Sequence, residues 1–156
     1  MLLPPYYLLR IAQGKKMKKY VFYLLVLFLL IACGKKEVKF ETFSSEAFAY
    51  DIGSGISEVN ATVRVKGFTQ NEKDGNYSTS ISFNVDLVKP DSSVVKSIYK
   101  DVHKESDKEP LTDVGLEAQF DLDSTYADGT YGLVFNINDD FSKNKTKAEV
   151  SFDITK

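Results

Sequence analysis

The stretch SISFNVDLV, residues 80–88, decides the fold. Ile81, Phe83, Val85 and Leu87 alternate with Ser82, Asn84 and Asp86. Side chains of an extended chain point to opposite faces in turn, so a period of two makes one dry and one wet face. The pattern recurs in VNATVRV (59–65), LEAQFDL (116–122), YGLVFNI (131–137) and AEVSFDI (148–154). Strands with one dry face imply antiparallel sheets packed through their apolar sides. Weaker strands are expected near residues 38–43 and 94–99, and no stretch after Cys33 carries a helical period.

Turn chemistry separates these strands. Lys73-Asp74-Gly75-Asn76 and Lys89-Pro90-Asp91-Ser92 are turn tetrads, and Asp128-Gly129 precedes the strand at Tyr131. Asp139 to Asn144 reads as a hairpin between the last two strands, and residues 100–113 read as a long charged connection. Asp128-Gly129-Thr130-Tyr131-Gly132-Leu133 resembles the tyrosine corner of immunoglobulin-like domains, with Tyr131 as the corner residue and Leu133 in the place of the usual cysteine. The resemblance implies that the Tyr131 hydroxyl bonds a backbone group just upstream. Residues 59–154 also resemble the immunoglobulin-like modules of bacterial envelope proteins, in which such a strand is followed by an Asp-x-x-Ser-x-Lys hairpin, a signature that Asp139, Ser142 and Lys143 come close to. The expected fold is therefore all-β, an antiparallel immunoglobulin-like sandwich of about seven strands over residues 40–156, preceded by a signal peptide.

The N-terminal quarter obeys another logic. Lys15, Lys16, Lys18 and Lys19 precede an unbroken apolar run from Tyr20 to Ala32. That run is 13 residues long, against the roughly 20 that a spanning helix needs. A basic flank and a short apolar run match a secretory signal. Leu30-Ile31-Ala32-Cys33-Gly34 resembles the lipobox of bacterial lipoproteins at every position. The resemblance implies cleavage before Cys33, a diacylglycerol on its sulfur and an acyl chain on the new amino group, with Leu30, Ile31, Ala32 and Gly34 as the signal-peptidase recognition residues. Residues 1–32 are then a signal peptide, with translation expected to start at Met17, and residues 33–39 form a lipidated tether. Gly34, rather than Asp, after the cysteine points to the outer membrane, facing either the periplasm or the surface.

Charge narrows the partners. From Cys33 onward there are 15 basic and 22 acidic residues. An acidic domain lacks the basic face that nucleic acid requires. With Cys33 the only cysteine, an internal disulfide is excluded. His103 is the only histidine, too few for a histidine zinc site, and its place in the charged connection does not suit the base of a Ser–His–Asp arrangement. Asp121, Asp123, Asp128, Asp139 and Asp140 form the one acidic concentration that could serve a metal. They fail the EF-hand pattern, which needs Gly at the sixth position, where Tyr126 stands. A looser calcium site between the loops flanking the Tyr131 strand is the alternative to solvated loop acids. Phe68, Tyr77, Tyr99, Tyr126 and Phe141 fall near loops, where they either cover the core or meet a partner. The expectation is a non-catalytic, lipid-anchored binding module with no resident cofactor, meeting another envelope protein or an external ligand. A calcium- or small-ligand-binding lipoprotein and a small carboxylate enzyme are the alternatives.

Overall fold

The computed structural model describes residues 38–155. Cys33, the signal segment and the tether as far as residue 37 lie outside them. Eight strands form: β1 (Glu41–Gly53), β2 (Ile56–Lys66), β3 (Asn71–Lys73), β4 (Asn76–Val88), β5 (Val94–Asp107), β6 (Asp113–Leu122), β7 (Gly129–Asp139) and β8 (Lys145–Ile154). They build a three-stranded sheet in the order β1-β2-β6 and a five-stranded sheet. In the second sheet β4 pairs with β7 on one edge and β5 on the other, β8 follows β7, and β3 closes a short hairpin on the start of β4. Every pairing is antiparallel. The described residues form an all-β immunoglobulin-like sandwich. No helix among the described residues is long and apolar enough to cross a membrane.

The dry faces predicted from alternation meet in one core. Val59, Val63 and Val65 of β2 and Leu116 of β6 pack against Ile81, Val85 and Leu87 of β4 and Leu133 and Phe135 of β7, all fully buried. Each such side chain contributes about 1.5–3 kcal/mol relative to exposure. Phe83 stacks on Phe135 with centroids 6.0 Å apart, and Tyr131 stacks on Phe152 at 5.7 Å. Tyr99 of β5 reaches both Phe83 and Phe120, linking the two sheets at that edge. Phe68, Tyr99 and Tyr126 thus cover the core.

Two elements differ from the expectation. The weak strand near residues 38–43 is a 13-residue strand beginning at Glu41. The charged connection begins only after β5, which runs on to Asp107. Side chains there gave no alternation to read because most are exposed on both faces. The pairing rests on the backbone, in register from Tyr77↔Asp107 to Val85↔Tyr99.

The N-terminal segment enters at one end. Gly67 has φ +72°, and a methyl group there would lie 2.2 Å from the Lys39 carbonyl oxygen. Only glycine lets the entering chain lie that close across the end of β2. The 67–70 and 140–144 connections share this end, tied by Thr69 N–H donating to the Asp139 carboxylate at 2.8 Å. The opposite end carries the 53–55 turn, the 89–93 turn and the 123–128 loop, where Lys89 sits over the Tyr126 ring and Pro90 lies against Gly129.

Candidate binding surfaces

The acidic residues do not converge. Asp128 and Asp139 bracket β7, which has 11 residues. At about 3.3 Å per residue they stand roughly 35 Å apart. Loops flanking a strand lie at opposite ends of it, so one cation cannot bridge them. No group of three metal-ligating side chains occurs among the described residues. Asp121 projects from β6, exposed, beside Glu58 of β2. Asp123 accepts the Thr125 N–H at 2.9 Å, and Asp128 is exposed.

Asp139 and Asp140 hold the fold together instead. The Asp139 carboxylate, 2% exposed, accepts Thr69 N–H at 2.8 Å, Phe141 N–H at 3.0 Å and the Ser142 hydroxyl at 2.8 Å. Burial pushes its carboxyl upward, but the bonds from Thr69, Ser142 and Phe141 outweigh this and hold it below its ordinary value. Asp140 accepts the Ser80 and Ser82 hydroxyls, each at 2.7 Å. At the other end of β7, the buried Tyr131 hydroxyl donates to the Ala127 carbonyl at 2.8 Å. His103 lies on β5, not in a loop, 3.1 Å from Glu105.

Two surfaces escaped the sequence reading. The first is on β1. Ala47 and Ala49 face inward, while Phe48, Tyr50 and Ile52 face outward, 58%, 46% and 49% exposed. Phe48 and Tyr50 stack with centroids 6.3 Å apart, and the Tyr50 hydroxyl donates to Glu58. Large residues out and alanines in is an inverted alternation, and that inversion was the signal available in the sequence.

The second surprise is Asp86 on β4, nearly buried on the outward face of the larger sheet. Its carboxylate accepts Lys96 Nζ at 2.8 Å, Ser97 N–H at 2.8 Å and Asn136 Nδ2 at 3.2 Å. Desolvation raises its carboxyl, yet these bonds win and hold it below the ordinary value.

No family model and no curated protein matches this chain. Solved structures do. A glycosyl hydrolase family 2 member from Bacteroides cellulosilyticus DSM 14838 is similar at 7% identity and a TM-score of 0.51, over 74% of this chain and 15% of that one. Bacteroides uniformis beta-glucuronidase 2, covalently bound to cyclophellitol-6-carboxylate aziridine, is similar at 5% identity and a TM-score of 0.52, over 72% of this chain and 14% of that one. The chain thus spans about one seventh of these proteins, and the likeness is one of fold.

Proposed function

We propose that this chain is a lipid-anchored, non-catalytic binding module of a bacterial cell envelope, carried on the outer membrane by acyl chains on Cys33. The lipobox resemblance of Leu30 to Gly34 supports the anchor. The outward row of Phe48, Tyr50 and Ile52 carries the binding role. Side chains of this size gain most when desolvated against a partner, and a polar rim of Glu46, Glu58 and Asn60 surrounds them. The partner on this reading is another envelope protein. The carboxylates that an enzyme would use are engaged in turns or stand apart in solvent, which favours binding over catalysis.

The test is crosslinking of the full chain in intact cells, with labelled palmitate added. The native chain should take up label and crosslink to a partner. Cys33→Ala should leave an unlabelled, uncleaved precursor, and Phe48→Ser with Tyr50→Ser should stay labelled but lose the crosslink. Normal processing of Cys33→Ala removes the anchor. An unchanged crosslink in the double variant removes the β1 surface.

A further inference from the structure

The outward face of the larger sheet carries a second, chemically different surface. Strand register places Lys100, Asn84, Asn136 and Lys147 in one row across β5, β4, β7 and β8. Val102, Ser82, Asn138 and Lys145 form the adjacent row. The lysines are exposed and the asparagines half-buried, so amides form the floor and ammonium groups the rims. Two shallow hollows share Asn84 and Asn138, one reaching Lys100 and the other Lys145 and Lys147.

Charge sets this face apart. Among the described residues Lys100, Lys145 and Lys147 make no ion pair, whereas Lys66 and Lys96 do. Lys104 extends the basic edge, opposite Ser80. Of the nearest acids, Asp86 is paired with Lys96, Asp140 accepts the Ser80 and Ser82 hydroxyls, Asp101 at the rim beside Lys100 accepts the Val102 N–H, and Glu149 stands in the next row, opposite Val134. A domain that is acidic as a whole has gathered unpaired cations around a strip of amides.

The amides are oriented. Asp86 is ionised and can only accept, so the Asn136 Nδ2 must face it; Asn84 Nδ2 is held by Asp86 and the Ser97 hydroxyl, at 3.4 and 3.2 Å. Both side-chain carbonyl oxygens are left as fixed acceptors. Fixed acceptors between point cations suit a ligand that offers hydroxyl donors and carries negative charge. Lys100 and Lys147 are three strand spacings apart, about 14 Å, the reach of a short linear oligosaccharide.

We propose that these two rows bind an acidic oligosaccharide, its carboxylates on Lys100, Lys145 and Lys147 and its hydroxyls on Asn84 and Asn136. An extended peptide lying across the rows is disfavoured because β4 and β7 beneath them are paired on both sides and offer it no backbone partner. Neither row has an aromatic side chain on which a nucleobase could stack. The site goes beyond the anchor and the β1 row, and lies on the other sheet.

Calorimetry on the full chain with linear oligogalacturonate, neutral malto-oligosaccharide and oligoglutamate tests it. Oligogalacturonate should bind, more weakly as salt rises. The neutral sugar and the acidic peptide should bind at least about tenfold more weakly. Lys100→Gln with Lys147→Gln should cost about tenfold or more in affinity, while Lys73→Gln with Lys108→Gln, away from the rows, should cost nothing. Absence of oligogalacturonate binding, equal binding of oligoglutamate, or indifference to the Lys100 and Lys147 changes each overturns the proposal. Because the β1 variants leave this face intact, they should bind oligogalacturonate normally whether or not the β1 reading survives.

Discussion

Asp139 shows how a single carboxylate can be read two ways. Its place in a turn close to the Asp-x-x-Ser-x-Lys signature was visible as a hairpin, and its acidity also suggested a metal. The deciding partner, Thr69, lies 70 positions away and could not be read from local pattern. Because the folded carboxyl titrates below its ordinary value, the stability it confers is complete above that value, about 3.9. It is lost as pH falls through the depressed folded pKa. Asp139→Asn would turn an amide towards groups that donate, costing about 1–3 kcal/mol at neutral pH. Urea unfolding at pH 7 and pH 3 should show the native chain losing stability on acidification and the variant losing less.

At the scale of the element, β5 was the least legible strand. The sequence supplied only its first residues, because strand propensity and alternation fade once both faces meet water. What holds it is a kink. Ser97 has φ +52°, a left-handed conformation that costs a non-glycine residue about 1 kcal/mol or more. Asp86 holds it through the Ser97 N–H, and β4 has a register shift between Val85 and Leu87 where the kink lies. Bulges and charged residues of this kind protect an edge strand from pairing with other chains. Asp86→Ala would free Lys96, Ser97 and Asn136 together. Amide exchange should then quicken across Val95 to Tyr99 and stay slow in β7. Uniform quickening across the sandwich would mean that Asp86 supports the whole fold rather than this edge.

At the scale of the molecule, the core was largely written in the alternation. Ile81, Phe83, Val85 and Leu87 faced inward as their period demanded, as did the matching sets on β2, β6, β7 and β8. The surfaces were not written there. Register across four strands brings Lys100 beside Asn84 and Asn136 beside Lys147, residues up to 63 positions apart along the chain. On β1 the outward apolar row runs against the rule that large apolar residues go inward, so a reading tuned to cores passes over it. Both proposed surfaces sit where alternation is silent or reversed.

The path of the two outermost strands has a mechanical consequence. β1 starts beside Gly67, β8 starts at the same end, and the Thr42 hydroxyl reaches the Lys147 carbonyl between them. The chain enters at that end and Ile154 pairs with Gly129 at the other. Tension between Lys39 and Ile154 therefore pulls along the strands, and ladder hydrogen bonds that lie across the strands resist together. Tension between Asp128 and Ile154, neighbours at one end, opens the β7–β8 ladder one bond at a time. Optical-tweezer pulling with handles at these two pairs should give the higher rupture force for the first. A domain tethered by its first strand would then be toughest along the line on which a surface tether is strained.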